Sequence, residues 1–411
     1  MARRTVGQEQ VHPERSRRAP AQQELLIGVI GAGGRGSLAR YAHKPEEGVR
    51  VVAGADITDE ALAQVKERYG AEALATRDYR ELLARPDIGA VFVTSPDFLH
   101  EEHAVAALEA GKAVYLEKPM AITIAGCDRI LETAYRNKVK LYLGHNMRHL
   151  GMCIKMKSLI DQGAIGEPKV GWCRHFVGYG CDAYFKDWHA ERSKSTGLLL
   201  QKGAHDIDIL HWLCRGYTKR VVAMGGLTLY DQIADRHDPS ERGDASWHLE
   251  NWPPLSQKGL NPIIDVEDVS MMLMEYDNGV FASYQQCHYA PDGWRNYTII
   301  GTQGRIENFG SVVRMWDQRH DYNPDGDAEF RFEERYGGHG GADPRIVAEF
   351  VRYVREGGPI ATSPIAARYA VAAGYLATQS LRNGSVPMEV PGLPDSIVEY
   401  FTAQVEGRAA A

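Results

Sequence analysis

The stretch that most constrains the fold is residues 24–36, Glu-Leu-Leu-Ile-Gly-Val-Ile-Gly-Ala-Gly-Gly-Arg-Gly. The apolar run 25–30 reads as a buried parallel strand, and it breaks into Gly31, Gly33, Gly34, Arg35 and Gly36 in the pattern G-x-G-x-x-G. Gly31 permits a tight turn off the strand. Gly33 lets the backbone approach a pyrophosphate, and Gly36 lets the next helix pack on the sheet. Free N–H groups at that helix start bind phosphate oxygens. A helix is expected at 37–43, then a second strand at 49–55 ending in Asp56. The acid that hydrogen-bonds the adenosine ribose belongs about 20 residues past the glycines, which is where Asp56 stands. The stretch therefore predicts a dinucleotide-binding unit; a plain strand–turn–helix is the alternative.

Beyond Asp56 the chain keeps the same rhythm. Helices are expected at 58–68, 78–84, 100–110 and 123–137, and strands at 88–94, 113–116 and 140–144. Strands alternating with helices of about 10–15 residues indicate βαβ units and a parallel sheet. The strand at 88–94 runs into Ser95-Pro96-Asp97, at the carboxyl edge where open α/β sheets bind ligands. The strand at 113–116 runs into Glu117-Lys118-Pro119. A lysine there, beside a nicotinamide, is partly desolvated, which lowers its pKa toward the range useful for proton transfer. Equally, it is a surface lysine paired to Glu117.

The second half changes character. A helix at 152–162 and a strand at 169–177 lead into 178–196, which carries Tyr179, Tyr184, Phe185, Trp188, His189 and Arg192. Such a mixture suits sugar recognition, with Tyr179 and Tyr184 holding substrate, or it is an ordinary loop. Residues 197–208 read as a turn opening a helix through Cys214, with Gln201, His205 and Asp208 on one face by their spacing. A lone helix histidine is more often structural. Strands are expected at 220–230, 268–276, 280–288, 296–301 and 305–308, and Asp277-Asn278-Gly279 is a strong hairpin turn. These make an antiparallel sheet. Residues 231–261, with Trp247 and Trp252, read as a lid or a disordered loop. A glycine-rich loop with His339 precedes a helix at 344–356 capped by Asp343; a helix at 364–383 and a strand at 386–390 come next, and 406–411 reads as a frayed tail.

With these motifs in place, the chain resembles the Gfo/Idh/MocA oxidoreductases, named for glucose–fructose oxidoreductase and inositol dehydrogenase. The likeness rests on the glycine turn, on His100, on Ala-Leu-Glu-Ala-Gly-Lys at 107–112, on Glu-Lys-Pro at 117–119 and on the Gly197…His205…Asp208 pattern. The resemblance implies a Rossmann domain (24–148), then an α+β domain with a mostly antiparallel sheet (149–400); the arginine-rich N-terminal segment (1–23) reads from its composition as a disordered arm or one packed on a neighbouring subunit. It implies that Lys118 is the catalytic lysine, that Pro96, His100 and Glu117 line the cofactor site with Ser95, and that Arg148 reaches the active site. It makes His205 the lysine's partner in proton transfer and Asp208 the acid that orients it. Two residues depart from the pattern. Asp97 stands where the family has Asn, and Gln201 where inositol-dehydrogenase-like members have Asp. Gln201 cannot serve as a base and holds hydroxyls instead. Lys202 adds a cation that signals a different or acidic substrate.

The expected activity is an NAD(P)-dependent oxidoreductase acting on a ring secondary alcohol of a sugar, glycoside or cyclitol. The alternatives are an NAD-recycling glycosidase or lyase working by transient oxidation, and a non-catalytic NAD-binding protein. Asp56 favours NAD over NADP because an acid repels a 2′-phosphate, although Arg35 offers that phosphate a partner. Hydrophobic content of 44% and charged content of 25% are those of an ordinary globular protein. A net charge of −7 gives no signal for nucleic acid or an anionic membrane. No apolar run reaches the roughly 18 residues of a membrane span. The cysteines at 127, 153, 173, 181, 214 and 287 form no C-x-x-C, and Cys173, His175, Cys181 and His189 fit no zinc spacing, so no metal is expected. The expected setting is cytoplasmic, and the expected assembly is a homo-dimer or tetramer.

Overall fold

The computed structural model describes residues 24–241, 243, 246, 248–310, 312–332 and 338–408. The N-terminal segment 1–23, Trp247 and the last residues of the tail, 409–411, lie outside the described residues.

Six strands form a parallel sheet: β1 (Leu25–Ile30), β2 (Val49–Ala55), β3 (Leu74–Thr76), β4 (Ile88–Val93), β5 (Ala113–Leu116) and β6 (Leu141–Leu143). Their order is β3-β2-β1-β4-β5-β6, the doubly wound arrangement with its switch point between β1 and β4. The strands are apolar runs buried on both faces, as a sheet covered by helices requires. Two of the helices that cover this sheet start at a threonine side-chain cap. Thr58 Oγ1 accepts from Ala61 N, and Thr123 Oγ1 accepts from Gly126 N at 2.9 Å. The short strand β3 was not expected. Three residues are too few to show a period.

The helix expected at 37–43 is instead a 3₁₀ run over Gly34–Tyr41. Gly36 N–H donates to Gly33 O at 2.8 Å, so winding begins with the tighter i to i+3 bond.

The second sheet has nine strands: β7 (Pro168–Phe176), β8 (Thr218–Gly226), β9 (Val269–Tyr276), β10 (Phe281–Cys287), β11 (Trp294–Gly301), β12 (Arg305–Phe309), β13 (Val312–Trp316), β14 (Ala328–Arg331) and β15 (Met388–Glu389). They run in the order β14-β13-β12-β11-β7-β10-β9-β8-β15. The hairpins at 277–279 and 302–304 form as expected, and every pair is antiparallel except β7 with β10. A long crossover joins those two, so the sheet is mixed. Helices Gly203–Cys214 and Pro364–Arg382 bury their apolar faces against it through Ile207, Leu210, Leu213, Ala370, Ala373 and Ala377.

The layers do not follow chain order. Ile346, Val347, Phe350 and Tyr353, from the helix that follows the left-handed turn His339-Gly340-Gly341 and runs to Glu356, pack against Phe92, Tyr115 and Tyr142 of the parallel sheet. Ile397, Tyr400 and Phe401 of helix Asp395–Val405 join the core on its other face. Most of residues 231–261 is described as irregular chain, anchored by Tyr230, Ile233 and Leu260 against Val177, Cys181 and Phe185. Among the described residues no helix is long and apolar enough to cross a membrane.

Candidate active site

A cavity of about 920 Å³ opens at the carboxyl ends of β1, β2, β4 and β5 and runs to the start of helix Gly203–Cys214. Its nucleotide-side wall is the glycine turn. Gly31 has φ +81°, and a Cβ there would lie 2.5 Å from Ser95 N. A Cβ on Gly36 would lie 2.2 Å from Gly31 O, so neither position admits a side chain. Gly34 faces open space. Gly33 N–H donates to Asp56 Oδ2 at 2.9 Å, while Asp56 Oδ1 accepts from Thr58 N and Oγ1, both at 3.0 Å. Three of about four acceptor positions on that carboxylate are taken, leaving one for a ribose hydroxyl. A backbone cradle that a Cβ would fill, ending at an acid with acceptor capacity left, fits a dinucleotide.

Arg35 is held by two carboxylates. Its Nε lies 2.6 Å from Glu117 Oε1, and its two terminal nitrogens bind both oxygens of Asp343 at 2.7 and 3.0 Å. Asn146 and His339 complete the Asp343 shell at 3.1 and 3.0 Å. The fork ties the glycine turn to a segment 308 residues away. This engagement occupies the guanidinium that the sequence offered to a 2′-phosphate, although Arg35 still lines the cavity. His100 braces the neighbouring loops, with Nε2 2.8 Å from Ser95 O and Nδ1 2.6 Å from Pro119 O.

The far wall collects Lys118, Asp97, Gln201, Lys202, His205, Tyr184, Trp188 and Asn146. Lys118 Nζ lies 3.3 Å from Gln201 O. Burial lowers the Lys118 pKa; Asp97 opposes that and Lys202 reinforces it. Burial pushes Asp97 up to about 6 against the pull of His100 and Lys118. Burial, with Lys118 and Lys202 nearby, holds His205 well below its ordinary value, so its imidazole is neutral at pH 7. Asp97 Oδ2, Gln201 Oε1 and His205 Nδ1 are buried without a hydrogen-bond partner, three polar atoms on residues that line one cavity. Buried polar atoms are rarely left so unless a ligand group meets them.

Two expected residues stand elsewhere. Asp208 makes no bond to His205. It binds Arg148 in a two-point pair, both contacts at 2.7 Å, with His145 Nδ1 3.4 Å away. Burial alone would raise the Asp208 pKa, but Arg148 and His145 hold it well below the carboxylate range. Arg148 donates its remaining contact to Ala361 O at 2.7 Å and does not line the cavity. The expected placement of Arg148 at the substrate, and of Asp208 behind the histidine, is thereby corrected. Helix spacing is not the reason, since His205 and Asp208 share helix Gly203–Cys214; the Arg148 guanidinium takes both oxygens of the carboxylate. Tyr184 lines the cavity, whereas Tyr179 does not and instead accepts from Lys202 Nζ through its hydroxyl at 3.0 Å, which corrects its expected placement at the substrate.

The acid that supports the floor is Asp206, which sequence reasoning passed over. It meets Arg295 Nε at 2.8 Å, His175 Nδ1 at 3.0 Å and the Tyr297 hydroxyl. These partners come from β7 and β11. A histidine and an arginine interrupting apolar strands were the only trace of them in the sequence.

Comparison with known proteins agrees with this architecture. The profile of an oxidoreductase family's NAD-binding Rossmann fold matches residues 25–145, and that of the same family's C-terminal alpha/beta domain matches 157–390. Inositol 2-dehydrogenase of Salmonella paratyphi B is 33% identical over 192 residues, 46% of this chain and 54% of the relative. The matched chain thus spans about half the length of that relative. Myo-inositol 2-dehydrogenase of Thermotoga maritima is 26% identical over 87% of this chain and 96% of its own. Among solved structures, levoglucosan dehydrogenase in complex with NADH and levoglucosan superposes with a TM-score of 0.73 at 20% identity, over 90% of this chain and 100% of that one. At that identity the likeness speaks for the fold.

Proposed function

Because the chain belongs to the Gfo/Idh/MocA oxidoreductase family, we propose that it is an NAD-dependent dehydrogenase acting on a ring secondary alcohol of a sugar, glycoside or cyclitol. The observation that carries this reading is the convergence of Lys118, neutral His205 and Gln201 on the same cavity as the glycine turn. A nicotinamide dinucleotide, when bound, supplies the hydride acceptor. Gly31, Gly33, Gly34 and Gly36 would hold its pyrophosphate, Asp56 its ribose, and Ser95, Pro96, His100 and Glu117 the end nearer the reacting carbon.

Lys118 hydrogen-bonds the reacting hydroxyl and stabilises its oxygen as negative charge develops. His205 accepts the hydroxyl proton, which a neutral imidazole can do and a charged one cannot. Gln201, Tyr184 and Asn146 hold the remaining hydroxyls. Asp208 and Arg148 act by keeping His145 and the adjoining segment in place. Asp56, together with an Arg35 occupied by Glu117 and Asp343, supports NAD over NADP. The apolar patch of Met224, Met271, Leu273 and Phe281 on the outer face of β8–β10 is more than half exposed, which supports a homo-oligomer. Six free cysteines support a reducing, cytoplasmic setting.

The test is absorbance at 340 nm with NAD⁺ or NADP⁺ against inositols, free sugars and aryl glycosides. NADH growth on one substrate, lost in Lys118→Ala and His205→Ala, is the expected result. Aglycone release without NADH would replace this reading with the recycling glycosidase.

A further inference from the structure

We propose that Lys202 is the docking point for a carboxylate on the substrate, so that the alcohol oxidised in this cavity belongs to an acidic sugar, a uronate or a uronate glycoside. The proposal rests on the dehydrogenase reading for the reaction, but its binding claim stands on Lys202 alone.

Lys202 lines the cavity and is 8% exposed. Its ammonium carries three N–H donors. One goes to the Tyr179 hydroxyl at 3.0 Å, and the rings of Tyr179 and Tyr184 lie 5.2 and 5.4 Å from Nζ. Among the described residues no carboxylate comes within 4 Å of that nitrogen, so two N–H donors of its charged form are left for a ligand. The neighbouring acid, Asp206, is already held by Arg295, His175 and Tyr297. Buried charges are ordinarily paired. A neutral polyol would leave this one without a counter-ion, whereas a carboxylate supplies it.

The same arrangement argues for a monoanion over a phosphate. Arg295, the guanidinium a phosphate would draw on, is committed to Asp206. Burial and Arg295 push Lys202 down to about 7, so an arriving anion also restores its charged form. Gln201 fits this picture. An aspartate there would be a second anion one residue away, competing for the ammonium; the amide holds a hydroxyl without that competition.

The experiment is calorimetric titration of the NADH-loaded protein with matched pairs, D-glucuronate against D-glucose and D-galacturonate against D-galactose, with D-glucose 6-phosphate as the other anion. A charge-assisted contact of this kind predicts that at least one uronate binds roughly tenfold or more tightly than its neutral partner. In Lys202→Met, which keeps the aliphatic stem, that ratio falls toward one. Equal binding within both pairs, no binding by any uronate, tighter binding of the sugar phosphate, or a ratio that survives Lys202→Met would overturn the proposal. If Lys202→Met does not fold, the wild-type ratio decides. The same pairs run at 340 nm separate the two readings. Selective uronate binding without NADH formation keeps the carboxylate site and sinks the dehydrogenase. Turnover of neutral sugars with no uronate preference does the reverse.

Discussion

On the nucleotide side of the cavity the working parts are main chain: Gly31, Gly33, Gly34 and Gly36 act through the side chains they lack. On the opposite side they are buried ionisable groups, Lys118, Asp97, Lys202 and His205, backed by the Asp206–Arg295 and Asp208–Arg148 pairs. The first wall is assembled from about six consecutive residues. The second draws on β5, β7, β11, the 146–149 turn and the broken helix at 198–214. A backbone site is local and tolerates little variety; a charge site is non-local, and its chemistry can be retuned by single substitutions such as Gln201.

The sharpest way to break this comparison is on the charge side. Lys118→Ala should lower kcat by roughly 10²–10³, the range for loss of one donor to a developing oxyanion, with the melting temperature little changed. Steady-state rates beside thermal melts check it. A loss confined to KM would mean that Lys118 only binds.

The second expected effect is on stability. Arg148→Leu strips the partner from a carboxylate that is 1% exposed, and breaking such a pair costs about 3–5 kcal/mol. Urea unfolding would show it as a lower midpoint at constant slope. The matching pH effect comes from Asp208, whose folded pKa is held below its ordinary 3.8. A depressed acid stabilises the fold above its unfolded pKa and loses that contribution as pH falls. Wild-type stability should therefore decline from about pH 4 downward, and more gently in Asp208→Asn. A midpoint for Arg148→Leu equal to wild type would show that the pair is dispensable.

On the backbone side, Gly36→Ala puts a Cβ 2.2 Å from Gly31 O. The turn must open, so NADH affinity by fluorescence should fall roughly tenfold or more, with about 1–3 kcal/mol of stability lost to overpacking. The smallest effect is expected at Asp56. Asp56→Ser removes the acid that disfavours a 2′-phosphate, and the NAD:NADP ratio of kcat/KM should shift toward NADP by about tenfold. An unchanged ratio would move the source of cofactor choice away from this residue.

Legibility in the sequence divides along the same line. The parallel sheet, its glycine turn and Asp56 could be read from spacing because each lies within one βαβ unit. Lys118, Gln201 and His205 were visible as motif residues, and the structure brings them to one cavity. Arg35 was legible as part of the turn, but its partner Asp343 was not, since a salt bridge over such a sequence distance leaves no periodicity. Asp208 misled for a non-local reason: it shares a helix with His205, but Arg148, 60 residues away in sequence, takes both its oxygens, and spacing within one helix does not show that. The Asp206 network was hidden because its members are divided among helix Gly203–Cys214, β7 and β11, far apart in sequence.

The packing of residues 338–356 and 395–405 on the parallel sheet has a consequence for how the molecule comes into being. The six strands of that sheet are complete once Leu143 has been synthesised, yet Phe350, which covers Phe92 and Tyr115, emerges some 200 residues later. At about 5–20 residues per second, the nascent sheet waits on the order of 10–40 s with that aromatic surface bare. The first half of the chain thus waits on residues synthesised last, and packing of the final helices is the step that closes its core.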